Sequence, residues 1–335
     1  MRYLDTIKVP SSQQVPPAVI LYPMTNTMRA IRQTALGGPE VLELVEIERP
    51  TAGPGKMLVQ VVAAGVNPID WKVREHGYWF RPPLVPGWDV SGVVVDPGPG
   101  ENRFQAGDEV FGMPCFPEVG GGYAEYVAAP ARHFARKPAA LDHVDAAALP
   151  LAVLTGWQAL TDAARLQPGQ RVLVHAAAGG VGHLTVQLAK ALGAHVTGTA
   201  SAAKHALLRD LGADDLVDYR TEDFTAVDPV DVVVDLIGGD YASRSLRVLK
   251  PGGVYVAVAV PNDVDTVRAE AEPLGIRATS VLVTPDHTAL ERVAGLVAEG
   301  RLRPVVAETF PLADAAKAQE LGETNRTTGK IVLTV

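Results

Sequence analysis

At 335 residues, with 47% apolar and 20% charged side chains, the chain is long enough for two cores of ordinary size and too apolar to stay disordered. A net charge of −8 without any basic run argues against nucleic acid as a partner, because phosphate binding rests on clustered Lys and Arg. The single cysteine, Cys115, excludes an internal disulfide and a multi-cysteine zinc site and fits a cytoplasmic protein, and no apolar run reaches the roughly 18 residues of a membrane span.

The first 27 residues lack regular alternation. Val15 to Met24 is apolar but broken by Pro16, Pro17 and Pro23, so it makes a poor signal peptide. Residues 1–27 read as an extension, either a loosely ordered arm or the product of an upstream start codon. From Met28 short strands separated by Gly and Pro follow, over 28–34, 42–48, 57–65, 90–95, 109–113 and 123–129, the spacing of an all-β, partly barrel-like unit. An Ala- and Leu-rich helix is expected over 145–164.

Strands then alternate with helices: strand 171–175, helix 182–192, strand 194–199, helix 202–211, strands 216–218 and 230–235, helix 241–249, strand 253–259. This order predicts a doubly wound parallel sheet of the α/β class. Val172-Leu173-Val174 and Val232-Val233-Val234 are continuously apolar, as strands covered on both faces should be. A helix over 288–299, a strand near 305–308, a helix over 313–321 and a closing strand over 330–335 end the chain. The closing strand has no sheet nearby in sequence, so the tail is expected to return to the first unit.

Within that alternation, the apolar strand ending at His175 runs into Ala176-Ala177-Ala178-Gly179-Gly180-Val181-Gly182 and then a helix. Glycines there let the backbone approach a pyrophosphate, whose charge rests on the N-terminus of the helix; the bland alternative is a glycine-rich turn in an ordinary sheet. An NAD site usually ends its second strand with an acid for the ribose 2′-hydroxyl. Here the strand ends Thr199-Ala200-Ser201, with Lys204 following, which favours the 2′-phosphate of NADP(H); the bland alternative for Lys204 is a solvated helix-start lysine.

Six segments carry a family resemblance in the right order: Ala64-Gly65-Val66-Asn67-Pro68-Ile69-Asp70, Pro86-Gly87-Trp88-Asp89-Val90-Ser91-Gly92, Gly107-Asp108-Glu109-Val110, Gly122-Tyr123-Ala124-Glu125-Tyr126, the glycine-rich turn, and Gly329-Lys330-Ile331-Val332-Leu333. On them the chain resembles the zinc-independent quinone oxidoreductases of the medium-chain dehydrogenase/reductase superfamily. The resemblance implies a GroES-like, β-rich catalytic domain over 28–150 and 285–335, a Rossmann domain over 151–284, and a site in the cleft between them. It implies NADPH-dependent hydride transfer to a quinone or an activated carbon–carbon double bond. The rivals are an enoyl or polyketide-type reductase and an NADPH-binding sensor of low turnover.

Alcohol dehydrogenases of that superfamily carry a zinc-binding Cys where this chain has Asn67, and Gly-His-Glu where it has Gly87-Trp88-Asp89. Neither Asn67 nor Trp88 is a zinc ligand, so no metal is expected and the substrate must be activated by hydrogen bonds. Asn67, Asp70, Lys72 and Tyr78 are the candidate groups. The resemblance puts Asn67 beside the nicotinamide and Tyr78 where it could polarise a carbonyl or supply a proton; Asp70 and Lys72 could instead form a structural pair. By the same resemblance Thr155 touches the nicotinamide side, and Lys204, Tyr219 and Arg326 join Ser201 as a phosphate clamp, with Ala178, Gly179, Gly180, Val181 and Gly182 forming the turn. Thr328 stands where the family often has a second basic residue. His175, His183 and Cys115 read as packed structural residues, and the Ala278 to Thr284 segment as an edge strand through which a homodimer would form.

Overall fold

The computed structural model describes residues 26–258 and 264–335, and the extension read over 1–27 falls outside them except for its last two residues. Strands β1 (Thr27–Gln33) and β2 (Leu42–Glu48) pair as an antiparallel ribbon. A larger sheet follows from β3 (Lys56–Val66), β4 (Asp89–Asp96), β5 (Glu109–Gly112), β6 (Tyr126–Pro130) and β7 (Phe134–Arg136), with β3 hydrogen-bonded to both β4 and β6.

Between β3 and β4 lies a helix the apolar pattern did not announce, α1 (Pro68–His76). Only Ile69, Trp71 and Val73 are apolar in it. Its start is set locally instead: Asn67 holds the cap position, Pro68 brings the φ that a first turn needs, and the Asp70 carboxylate accepts from the Asn67 N–H at 2.7 Å. The helix expected over 145–164 is divided. It forms α2 (His143–Ala147), α3 (Pro150–Gln158) and one wider turn over Ala159–Ala163, because Pro150 has no N–H to continue the first helix and sits at N1 of the second.

The second half gives β8 (Arg171–Val174), α4 (Gly182–Ala191), β9 (His195–Ala200), α5 (His205–Asp210), β10 (Asp215–Asp218), β11 (Val230–Asp235), α6 (Asp240–Leu246), β12 (Leu249–Ala257), α7 (Val264–Ala271) and β13 (Arg277–Ser280). All six strands are parallel, in the order β10-β9-β8-β11-β12-β13, the doubly wound arrangement. Helix α6 ends earlier than expected because β12 starts at Leu249, α7 was not foreseen, and Ala259 lies outside the described residues.

The tail contributes α8 (His287–Ala298), β14 (Val306–Pro311), α9 (Ala315–Glu323) and β15 (Lys330–Thr334). Strand β15 lies antiparallel to β3, with Ile331 opposite Val66, and β14 covers its other edge in parallel. The two halves are not separate bodies. Val73, Phe80, Trp88 and Phe111 of the first share one core with Val172, Val174 and Leu184 of the second.

Candidate functional site

The order of the parallel sheet reverses at the β8/β11 junction, and the turn leaving β8 opens into that crevice, where ligands of such sheets bind. Two glycine positions show why this turn tolerates little else. A Cβ on Gly182 would lie 2.3 Å from the Ala176 carbonyl oxygen and 2.8 Å from the Ala177 Cα, so its absence lets α4 approach β8. A Cβ on Gly180 would meet the Lys330 side chain at 3.2 Å. Ala176 itself is left-handed, φ +48°, and Gly179 donates back to its carbonyl at 2.9 Å. Gly179, Gly180 and Val181 remain partly exposed while Ala178 and Gly182 are buried. A narrow cradle at a helix N-terminus fits a dinucleotide pyrophosphate.

Ser201, Lys204 and Tyr219, expected to form the clamp, lie just beyond the carboxyl ends of β9 and β10. Register pairs Asp218 with Ala200, so Tyr219 lies alongside Ser201. Lys204 reaches the carbonyl oxygens of Arg326 and Thr327 at 3.3 and 3.4 Å, tying its turn to the loop that carries the exposed Arg326. The Tyr219 side is open, at 48% exposure, with the Arg220 guanidinium 5.9 Å from its ring centre. Thr155 is on α3, buried, its hydroxyl donating to the Leu151 carbonyl at 2.7 Å.

Asn67 and Asp70 sit in a buried polar cluster with three residues not singled out from sequence: Asp89, Tyr123 and Lys330. Asn67, 1% exposed, donates from Nδ2 to Asp89 Oδ2 at 2.8 Å, while Lys330 Nζ donates to Asn67 Oδ1, to the Val66 carbonyl at 3.0 Å and to Asp89 Oδ2 at 3.4 Å. Asp89 Oδ1 accepts from the Leu151 N–H at 2.6 Å. Tyr123 donates its hydroxyl to Asp70 Oδ2 at 2.7 Å, and Asp70 Oδ1 has no partner among the described residues. Burial lifts the Asp70 pKa to about 7, against its bonds to Tyr123 and Asn67 and the charge of Lys330. Burial likewise pushes Asp89 up and Lys330 down, and the attraction between the two opposes both shifts. All three missed residues stand in motifs already quoted, Gly87-Trp88-Asp89, Gly122-Tyr123 and Gly329-Lys330; a polar group at or just before the start of an apolar strand was the available signal.

The pairing of Asp70 with Lys72 is corrected: the cation acting on Asp70 is Lys330. Residues two apart on a helix point to different faces. Tyr78 has a left-handed φ of +49°, is half-buried against the shared core, and stacks at a tilt with Trp79, ring centres 5.8 Å apart. Among the described residues its hydroxyl meets no partner. Below it Trp79, Phe80, Trp88 and Phe116 form a continuous aromatic cluster.

His175 and His183 are fully buried and both ring nitrogens of each are engaged. His175 meets Thr199 Oγ1 at 3.2 Å and Ser245 Oγ at 2.9 Å; His183 meets the Gly179 carbonyl at 2.9 Å and accepts from the Val305 N–H at 3.1 Å. Cys115 is half-buried, and burial raises its thiol pKa, which favours the protonated form.

The donor set does not fit zinc. Trp88 is buried with its indole N–H on the Glu118 carbonyl at 2.8 Å, Asn67 is committed to Lys330 and Asp89, and an ammonium already lies against Asp89. Among the described residues no three His, Cys, Asp or Glu side chains converge as a metal site would require.

Comparison with known proteins matches residues 53–139 to the alcohol dehydrogenase GroES-like domain and 211–333 to the zinc-binding dehydrogenase family. The quinone oxidoreductase of Rattus norvegicus is 33% identical over 313 residues, covering 88% of this chain and 93% of the relative. The chloroplastic NADPH-dependent alkenal/one oxidoreductase of Arabidopsis thaliana is 35% identical over 320 residues, covering 91% and 79%. The solved quinone oxidoreductase from Coxiella burnetii superposes with a TM-score of 0.87 at 39% identity, covering 92% of this chain and 99% of that one.

Proposed function

The chain belongs to the quinone oxidoreductase family of the medium-chain dehydrogenases/reductases and is an oxidoreductase, and from that premise we propose an NADPH-dependent, metal-free reductase of quinones or activated carbon–carbon double bonds. The observation that carries the reading joins the two halves of the molecule. The Gly329 N–H donates to the Ala178 carbonyl of the glycine-rich turn at 3.0 Å, and the side chain of the next residue, Lys330, ends on Asn67 and Asp89. Reduced nicotinamide, when bound in that crevice, supplies hydride.

What the chain must add is a donor for the oxygen on which charge collects. One amide hydrogen of Asn67 is left after its bond to Asp89, and the Tyr78 hydroxyl is uncommitted; either can stabilise a developing oxyanion. With no fitting zinc set, activation falls to such hydrogen-bond donors, which suits an acceptor already electron-poor through conjugation. The reading includes the division into domains over 28–150 with 285–335 and 151–284, a cytoplasmic location, and a homodimer formed at β13, the edge of the parallel sheet.

Ser201, Lys204, Tyr219 and Arg326 would hold the 2′-phosphate. Lys204→Ala is expected to cut the preference for NADPH over NADH about tenfold, or about 1.4 kcal/mol, in kcat/KM measured with both cofactors; an unchanged ratio removes Lys204 from the clamp. The class itself is tested by following NADPH oxidation with 1,4-benzoquinone, 9,10-phenanthrenequinone, a 2-alkenal and a crotonyl thioester. Quinone turnover supports the proposal. Turnover of the thioester alone moves the enzyme to the enoyl reductases, and no turnover beside tight NADPH binding favours a sensor.

A further inference from the structure

Lys330 is 3% exposed, and all three of its ammonium hydrogens are spoken for, by the Val66 carbonyl, Asn67 Oδ1 and Asp89 Oδ2. An ammonium only donates and a carboxylate only accepts. The Asn67 amide between them therefore has one allowed orientation, oxygen to Lys330 and nitrogen to Asp89. A free asparagine could flip, exchanging donor for acceptor. This one is locked, and a single N–H remains.

The backbone that delivers the ammonium is tied to the other half of the cleft. Gly329 donates to Ala178, Lys330 donates its own N–H to the Val305 carbonyl at 2.8 Å, and the lysine stem runs past Gly180. Nucleotide turn and amide donor thus share one support.

We propose that Lys330 is a positioning residue of the hydride-transfer site, fixing the Asn67 amide so that its one uncommitted N–H serves the bound cofactor or the acceptor oxygen. The proposal rests on the reading of Asn67 as the group that faces those ligands. A purely structural lysine would neutralise Asp89 and nothing more, and that alternative makes different predictions. Removing the pair together, in Asp89→Asn with Lys330→Met, takes away both of its charges at once while releasing the Asn67 oxygen.

The experiment compares wild type, N67A, D89N/K330M and the triple variant N67A/D89N/K330M. It measures kcat and KM for 1,4-benzoquinone, the NADPH Kd by nicotinamide fluorescence, and the urea midpoint. N67A and D89N/K330M are each expected to lower kcat at least tenfold with the NADPH Kd within threefold. The triple variant is expected to be no slower than N67A, because residues acting through one interaction are not additive. If D89N/K330M loses its urea transition, K330Q is used in its place. It keeps an N–H donor for the Asn67 oxygen and is expected to retain more of kcat than N67A. Wild-type kcat in D89N/K330M beside an impaired N67A overturns the proposal alone, as does a triple variant that multiplies the two losses or a K330Q no better than N67A. Full turnover in N67A overturns the reading of Asn67 and the proposal with it.

Discussion

Gly329→Ala is expected to lower the unfolding free energy by about 3 kcal/mol or more and to weaken NADPH binding with it. Two costs coincide at this position. Its φ of +80° puts it in the left-handed region, where an L side chain costs roughly 1–2 kcal/mol. A Cβ built there would lie 2.0 Å from the Val305 carbonyl oxygen and 2.8 Å from the carbonyl carbon, atoms of backbone that cannot rotate away. Moving Val305 breaks its bond from the Lys330 N–H and disturbs the N–H that His183 accepts, so the strain reaches the glycine-rich turn from both sides. Gly300 and Gly107 are the controls, with φ of +70° and +92° and nothing within 4 Å of an added Cβ. Alanine at either should cost only the conformational part, about 1–2 kcal/mol, and leave NADPH affinity alone. Urea denaturation of the three variants with a fluorescence titration of NADPH decides it; a Gly329→Ala indistinguishable from Gly300→Ala would show that the Val305 carbonyl gives way freely.

Apart from the return of the closing strand to the first sheet, the parts of this molecule readable in sequence were those whose physics is local. Strand, glycine-rich turn and helix follow one another within Arg171 to Ala191, and the absence of an acid after β9 is a statement about consecutive residues. The polar cluster is the opposite case. Lys330 reaches Asn67 across 263 positions, and Asp89 reaches Leu151 across 62, so no window of sequence contains the group. Each of these residues had an innocent local reading. Lys330 and Asp89 are each simply the first residue of a strand, β15 and β4. Asp70 and Lys72 invited pairing because they are neighbours in sequence, where helix geometry separates them. Helix α1 was overlooked for a related reason: its capping chemistry, not its apolar period, makes it a helix.

The same burial that hid the cluster makes the protein's stability depend on pH in an unusual sense. Burial lowers the pKa of both His175 and His183 from 6.5 to about 4. The Val305 N–H on His183 Nε2 makes the physical reason plain, since that nitrogen must give up its accepting role to take a proton. Below pH 6.5 the unfolded chain therefore binds protons that the native histidines refuse. Stability contributed by each is fully present above 6.5 and is lost as pH falls toward 4, by about 3 kcal/mol per histidine. Asp70 works against them. Its pKa is raised from 3.8 to about 7, so between those values the native state holds a proton the unfolded chain has released, and stability falls as pH rises toward 7. The two histidines thus contribute positive slopes between pH 4.5 and 6.5, and Asp70, joined by Asp89, whose pKa burial also raises, contributes in the negative sense. The half-buried His133 and His143, also lowered, add in the positive sense, while exposed carboxylates such as Asp223, held at about 2, titrate below this window. Asp70→Asn keeps an oxygen to accept from Tyr123 and the Asn67 N–H but has no proton to release. It is expected to make the slope more positive by about 1.4 kcal/mol per pH unit between about pH 4.5 and 6.5, and His183→Gln to make it less positive by about as much. Urea denaturation at half-unit steps of pH measures all three slopes. An unchanged slope in Asp70→Asn would mean that Asp70 is ionised in the native state, its charge carried by Tyr123, the Asn67 N–H and Lys330, so that the buried cluster holds one more negative charge.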